Sequence, residues 1–399
     1  MPTAAPASRT PPRPVEEVPR APRSTEDAVL AHEDVVLVHD YLLVMRGAER
    51  TFAEIAACFP NAPIATLLHD PIGTGGRFRH RQVRTSFLQP VAADQGRFRR
   101  FLPLLPLAVR RLPLDGAGVV VSSSSAFAHG VCPAPDAVHV SYCHSPFRYA
   151  WHERRRTEEG FAPPLRPLAH GVLGAVRRWD IAASRRVNAY IANSALTAQR
   201  IADFYGREAS VVHPPVNVER FDAVPAPEDF FLLVGEVTSH KEPALALAAA
   251  ERAGVKLVVA GDGPDLARLR QRFKTATFLG RVSDGRLIEL YARCRALIAP
   301  AIEEFGITMV EAHAAGRPVV AAGRGGAVEI VDDGETGVLF TPGSVEALAE
   351  ALRETDWERF DVGRLKASAR QFSSREFRYR FSSEVARIVD HRSDPAPGP

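Results

Sequence analysis

Two carboxylates, Glu303 and Glu311, lie eight residues apart around a predicted strand-to-helix turn. The apolar run 296–299 predicts a buried parallel strand, and the helix that follows from about residue 307 ends at Gly316. Loops at the carboxyl ends of parallel strands are where open α/β sheets bind ligands. Carboxylates accept hydrogen bonds from sugar hydroxyls, and a helix N-terminus suits a phosphate. The turn therefore predicts a site for a ligand that carries both phosphate and hydroxyl groups.

The same turn has a second interpretation. Acidic residues are common at helix N-termini because they interact favourably with the helix dipole. In this alternative, Glu303 only stabilises the helix start and Glu311 is solvated. In both interpretations Phe305 and Gly306 turn the chain into the helix. Only in the first do the N–H groups of Gly306 and Ile307 bind an anion.

Length and composition narrow the class of protein. A chain of 399 residues is too long for one ordinary core, which predicts two domains. No apolar run approaches the ~20 residues of a membrane span, and we see no signal-peptide pattern. The four cysteines lack metal-site or disulfide spacing, which predicts a reducing cytoplasm. A net charge of +3 argues against a dedicated nucleic-acid-binding protein.

Alternating strand and helix patterns organise both halves of the chain. They predict an α/β protein with two Rossmann-like, doubly wound parallel sheets, in domains spanning 34–213 and 214–375 with a stiff HPPV connection at the boundary. Residues 1–33 and 391–399 are rich in proline and charge without periodicity, which predicts a disordered extension and a disordered tail.

Two places in the first half could contribute to a ligand site. Gly47 follows the first predicted strand and allows close approach of the backbone, and His144 follows a later strand beside Ser145, Arg148 and Trp151. Lone histidines are more often structural than catalytic, so both roles stay open for His144.

A basic and apolar stretch covers residues 95–114. Its arginines alternate with Phe and Leu, a composition that suits an anionic bilayer surface. The alternative is a core helix with a solvated arginine rim, interrupted by Pro103 and Pro106.

The segment EEFGITMVEAHAAGRPVVA resembles the E-x7-E segment of the retaining glycosyltransferases of family 4, which have the GT-B fold of two Rossmann-like domains facing a cleft. The resemblance extends over residues 35–389 and implies that residues 376–390 form a helix crossing back to the first domain. It implies that Glu303 contacts hydroxyls of the transferred sugar and Glu311 the nucleotide ribose. By the same resemblance, Lys241 holds the donor diphosphate and His144 lies near the reacting sugar.

Further expectations follow from the same resemblance. Gly47 lies beneath the donor phosphates, and the backbone near Val282 reads the nucleotide base. No metal cofactor is expected, because no Asp-x-Asp motif stands at a strand end. The stretches YCHSPFRYAWH and RRWDIAASRRVNAYIANSALTAQRIADFYG resemble bacterial O-antigen and exopolysaccharide mannosyltransferases. Resemblance to that subgroup implies that GDP-mannose is the donor and that the acceptor is lipid-linked or a glycan. It also implies a cytoplasmic enzyme, which would be a peripheral protein at the inner face of the plasma membrane if the basic stretch binds lipid.

Two positions depart from the family pattern. Glu236 stands where the family usually has arginine, and Arg46-Gly47 stands where it has a glycine pair. Arg46 could replace the missing cation or could pair with Glu236. Alternatively, the two side chains are independent surface residues. These departures leave two rival functions open: a sugar-nucleotide epimerase or hydrolase of the same fold, and a catalytically silent homologue that scaffolds glycan assembly.

Overall fold

The computed structural model describes residues 34–92, 98–221 and 225–393. The predicted extension at 1–33 and the end of the predicted tail lie outside these residues. The described part contains two parallel sheets, one in each half of the chain. The predicted two-domain α/β architecture is therefore confirmed.

The first sheet has seven strands in the order β3-β2-β1-β4-β5-β6-β7, every neighbouring pair parallel. Its strands are β1 Val35–His39, β2 Ile64–Thr66, β3 Val83–Thr85, β4 Val119–Ser124, β5 Val138–Cys143, β6 Ala189–Ala192 and β7 Ala209–Val211. Helices cover both faces of this sheet: α1 Gly47–Cys58, α2 Gln89–Ala92, α3 Leu105–Arg110, α4 Arg154–Glu159, α5 Arg166–Ser184 and α6 Ala195–Tyr205.

The second sheet has six parallel strands in the order β10-β9-β8-β11-β12-β13. They are β8 Phe231–Val234, β9 Leu257–Ala260, β10 Thr277–Gly280, β11 Leu297–Ala299, β12 Val319–Ala322 and β13 Gly337–Phe340. The accompanying helices are α7 Pro243–Ala253, α8 Leu266–Arg272, α9 Asp284–Arg293, α10 Ile307–Ala314, α11 Ala327–Ile330, α12 Val345–Glu354 and α13 Val362–Arg370.

The central strands are continuous apolar runs because both of their faces are covered. β1, VVLVH, is buried along its whole length, and its side chains alternate between two separate cores. The second sheet likewise separates two cores, with Leu232 in one and Leu233 in the other. This pattern is typical of parallel sheets with helices on both faces.

The chain crosses between the domains twice. After the first crossing, the Val216 amide donates to the Phe372 carbonyl at 2.8 Å, next to the second crossing. The last helix, α14 Ser374–Ser393, then returns to the first domain, where Phe377 and Phe381 pack against Tyr142 in the first-domain core. The two crossings therefore lie side by side.

The strand order reverses at two places, between β1 and β4 and between β8 and β11. Ligands in open α/β sheets bind beyond the carboxyl ends of the strands at such switch points. The loops that follow these strands carry Arg46, Glu236 and Glu303, so the fold brings the predicted site residues to the two switch points.

Candidate functional site

Two helix N-termini face each other between the domains. Gly47 begins α1 in the first domain and Ile307 begins α10 in the second. A Cβ atom added at Gly47 would lie 3.2 Å from Ile307 Cδ1, so a side chain at this position would crowd the cleft. Gly47 and Ile307 also line the same cavity, and the free N–H groups of helix N-termini favour an anion.

The turn before α10 depends on Gly306. Its φ of 108° is in the left-handed region, and an added Cβ would lie 2.0 Å from Met309 Cε. Phe305, by contrast, is 3% exposed, and its ring packs on those of His213 and Phe372. The Phe305 side chain therefore belongs to the core, and only its main chain remains as a contact for a ligand.

Glu303 forms an ion pair with Lys241, whose side chain comes from the loop after β8. Both side chains are partly exposed, Lys241 by 34% and Glu303 by 23%. The Glu303 carbonyl accepts from the Gly326 amide at 2.9 Å, which fixes the loop. This pair places a cation and a carboxylate together beside the N-terminus of α10.

Glu311 is 6% exposed and has two hydrogen-bond partners. Arg220 donates to one carboxylate oxygen, and the Tyr291 hydroxyl donates to the other at 2.9 Å. Burial raises the pKa of Glu311, while the charge of Arg220 and the Tyr291 hydrogen bond oppose that rise. Glu311 is thus not solvated, so the second interpretation of the turn is wrong for this residue.

Arg46 and Glu236 approach each other across the cleft, with 3.8 Å between Arg46 Nη1 and Glu236 Oε2. Their side chains are 68% and 47% exposed, so solvent screens the pair and its contribution is small. The two side chains are therefore close to each other. Whether Arg46 and Glu236 are energetically coupled stays a prediction.

The cleft contains two cavities that share Arg46 and Leu287. One of about 610 Å³ is lined by residues of both domains, including Arg46, Gly47, Ile307 and Glu311. The other, of about 630 Å³, has Glu236 and Val282 in its wall. Volumes in this range suit a ligand of nucleotide size.

His144 begins the loop after β5 and is 9% exposed. Its Nε2 lies 2.8 Å from Ser123 Oγ, and burial lowers the pKa of His144 to about 4. Further along the same loop, the Trp151 indole donates to Asp180 Oδ2 at 2.7 Å and anchors the loop to α5. His144 is therefore a neutral imidazole on a fixed segment.

Sequence reasoning missed a set of contacts that link the domains. Glu304 accepts from Arg200 at 2.9 Å and lies 3.6 Å from His152. Glu329 accepts from the Ala195 amide at 2.9 Å. No local pattern indicates these pairs, because the members of each pair are more than a hundred residues apart in the chain.

Within the described ranges, no group of three or more His, Cys, Asp or Glu side chains is arranged to hold a metal ion. None of the helices in those ranges combines the length and the apolar character needed to cross a bilayer.

Two protein-family models match different parts of the chain. Residues 45–220 match the family described as Glycosyltransferase Family 4, and residues 218–356 match Glycosyl transferases group 1. The chain carries both of these glycosyltransferase domains. Together they include every site residue described above, from Arg46 in the first domain to Glu311 in the second.

Solved structures share the GT-B fold of these glycosyltransferase domains. Anabaena HepE in complex with UDP and glucose has a TM-score of 0.66 at 19% identity and covers 89% of this chain and 100% of that one. Sucrose-phosphate synthase from Thermosynechococcus elongatus has a TM-score of 0.68 at 16% identity and covers 90% of this chain and 100% of that one. The GT-B fold predicted from the sequence is confirmed.

Curated relatives are similar over shorter stretches. D-inositol 3-phosphate glycosyltransferase of Mycolicibacterium smegmatis is 32% identical over 213 residues, 46% of this chain and 49% of the relative. Glycogen synthase of Mycobacterium tuberculosis is 30% identical over 222 residues, 51% of this chain and 53% of the relative. The chain spans about half the length of the curated relatives it matches.

Proposed function

We propose that the chain is a retaining glycosyltransferase that moves a sugar from a nucleotide sugar to an acceptor hydroxyl. The observation that carries this proposal is that two helix N-termini and Glu311 line one cavity between the domains, while Lys241 and Glu303 line an adjoining pocket that shares Thr308 with it. Such a cleft offers positive charge for a diphosphate and carboxylates for sugar and ribose hydroxyls.

The chemistry follows from where charge develops. When the bond from the sugar to the donor phosphate breaks, negative charge grows on the leaving diphosphate, and Lys241 with the N–H groups of α10 stabilises it. Lys241 is paired with Glu303 in the structure without ligand. Donor phosphate would draw Lys241 away and leave Glu303 free to accept from a sugar hydroxyl, while Glu311 accepts from the ribose.

For the donor we propose GDP-mannose, on the sequence resemblance around His144. The HepE structures differ on this point, since they carry UDP or UDP-glucose. The choice between sugars depends on few contacts, so a panel of donors is the right comparison.

The proposed acceptor is lipid-linked or a glycan, and the proposed contact with an anionic membrane involves the basic stretch. Leu104 and Leu107 are 44% and 42% exposed, whereas Leu105 and Val109 are buried in the first-domain core. The buried half of the stretch matches the core-helix alternative, and the exposed leucines support lipid contact. Equal flotation with neutral and anionic vesicles at low salt would reject the membrane proposal.

The test of the function measures release of nucleoside diphosphate from GDP-mannose, UDP-glucose and ADP-glucose, with and without a lipid acceptor extract. We expect acceptor-dependent release from one donor and its loss in Glu303→Ala. Release that needs no acceptor would indicate a hydrolase. A fully folded chain that turns over no donor under either condition would indicate the scaffolding alternative.

A further inference from the structure

Three consecutive serines end strand β4, and each of their hydroxyls lies within hydrogen-bond distance of a buried histidine. The distances from Oγ to the ring nitrogen are 2.8, 2.8 and 3.2 Å, for Ser122–His139, Ser123–His144 and Ser124–His129 in turn. All three serines are at most 2% exposed. Polar side chains are stable in this position because the histidines satisfy their hydrogen bonds.

The middle serine differs from its neighbours. Side chains alternate along a strand, so Ser123 points to the opposite face of the sheet from Ser122 and Ser124. On that face Ser123 Oγ contacts a second histidine, with His39 Nδ1 at 3.1 Å. His39 stacks on Phe52 with 4.6 Å between ring centroids, which holds its imidazole in place. Ser123 thus connects His39 in the interior to His144 at the ligand-facing edge.

The chemistry of this bridge restricts where the protons lie. Burial lowers the pKa of His39 to about 3 and that of His144 to about 4, so both rings are neutral near pH 7. A serine hydroxyl has one proton to donate. If it donates to one of the two rings, it is left to accept from the other. The tautomer of His144 is thereby coupled to that of His39.

We propose that Ser123 and His39 are positioning residues that fix the tautomer of His144 for sugar transfer. The inference rests on the proposed function, in which His144 lies beside the reacting sugar. Since Nε2 of His144 is bound to Ser123, Nδ1 is the nitrogen left for a ligand. A single tautomer makes that atom consistently a donor or consistently an acceptor, which a substrate hydroxyl can then match.

The strand supplies its own control. Ser122→Ala removes a Ser–His hydrogen bond of the same 2.8 Å length, from the same strand and at the same burial, but on the other face. Any loss caused by general damage to β4 therefore affects Ser122→Ala and Ser123→Ala alike. A loss caused by the tautomer of His144 affects only Ser123→Ala, and Ser123→Thr restores it because the hydroxyl is kept.

The experiment compares wild type, Ser123→Ala, Ser123→Thr and Ser122→Ala. Release of nucleoside diphosphate from GDP-mannose and UDP-glucose in the presence of the lipid acceptor extract gives kcat and KM, and nitrogen-15 NMR of labelled histidine gives the tautomer of His144. We expect Ser123→Ala to lower kcat about tenfold, the scale of one hydrogen bond, with little change in KM for the donor. Its NMR spectrum should show mixed tautomers, while Ser123→Thr and Ser122→Ala resemble wild type.

Equal losses in Ser122→Ala and Ser123→Ala would overturn the proposal, and so would an unchanged His144 tautomer in Ser123→Ala. If Ser123→Ala does not fold, the wild-type spectrum decides, since a mixture of His144 tautomers there contradicts the proposal that its tautomer is fixed. The NMR result needs no turnover, so it stands even if the proposed function fails. Wild-type activity in His144→Ala would instead refute the role of His144 in sugar transfer. The NMR result on the His144 tautomer would not be affected.

Discussion

Replacing Glu304 by glutamine should weaken the association of the two domains. The Glu304 carboxylate belongs to the second domain, and its partners Arg148, His152 and Arg200 belong to the first. Although burial opposes ionisation, the nearby His152 and the charges of Arg148 and Arg200 hold the pKa of Glu304 well below its usual range. The substitution keeps the shape of the side chain and removes its charge.

The expected loss of free energy follows from how little Glu304 and Arg200 are exposed. Glu304 and Arg200 are only 19% and 16% exposed, so solvent screens their interaction less than that of a surface pair. Hydrogen bonds to charged groups contribute about 1.5–3 kcal/mol, and the glutamine retains part of this. We therefore expect a loss of about 2 kcal/mol, or roughly 30-fold in the equilibrium between associated and separated domains.

Hydrogen exchange at the Ala195 amide measures this equilibrium. That amide donates to Glu329 of the second domain at 2.9 Å, so its protection depends on contact between the domains. In Glu304→Gln we expect exchange at Ala195 to accelerate by roughly 30-fold. The control is Glu346→Gln, whose partner Arg252 is 3.0 Å away in the same domain and whose side chain is 67% exposed.

Unchanged protection of Ala195 in Glu304→Gln, or an equal change in Glu346→Gln, would refute this reasoning. The pH dependence adds a second check. Because the pKa of Glu304 is lowered in the folded state, its stabilisation is present above the ordinary glutamate pKa and is lost as pH falls below it. The difference between wild type and Glu304→Gln should consequently be constant from pH 6 to 8.

Three further predictions concern stability and the nucleotide site. Glu242 has a φ of 49°, so Glu242→Gly should relieve left-handed strain and stabilise the fold by about 0.5–1 kcal/mol after the entropy cost of glycine; a lower melting temperature would contradict this. Tyr291→Phe removes a hydrogen bond to Glu311 and should weaken binding of UDP or GDP about five- to tenfold in calorimetric titration, whereas unchanged affinity would show that the Tyr291 hydrogen bond does not position Glu311 for nucleotide binding. Buried histidines with lowered pKa values should make the free energy of unfolding decrease as the pH falls from 6.5 to about 4, by up to ~1.4 kcal/mol per histidine and pH unit, since the unfolded chain binds more protons there; urea titrations at pH 7 and 5 with equal unfolding energies would refute it. These histidines are His39, His139, His144 and His313.

The fold was largely predictable from sequence because buried parallel strands are continuous apolar runs, as in β1 and β12. β3, Val83–Thr85, escaped prediction since its three residues include Arg84 and form no apolar run. The end of β4 escaped for a different reason. Ser122–Ser124 are polar, and they are compatible with a buried strand only because histidines outside the strand bond their hydroxyls.

The site was predictable where the chemistry is local. Glu303 and Glu311 fall on one turn, and the turn's glycine and helix start are visible in the sequence. The environment of Glu311 was not predictable from the sequence, because Arg220 and Tyr291 come from other elements. The same holds for Glu304, which stands beside Glu303 but whose role depends on first-domain cations that only the folded chain brings near.

The most direct test of the central claim is calorimetric titration of wild type and Lys241→Ala with UDP and GDP, each compared with its nucleoside. Lys241→Ala should weaken binding of the preferred diphosphate by about 10- to 150-fold and leave nucleoside binding unchanged, because only the phosphates contact Lys241 in the proposed complex. Lys256→Ala, which removes an exposed lysine, should behave as wild type. If wild type binds neither diphosphate, or if Lys241→Ala binds the diphosphate as tightly as wild type, the cleft is not the nucleotide-sugar site described here.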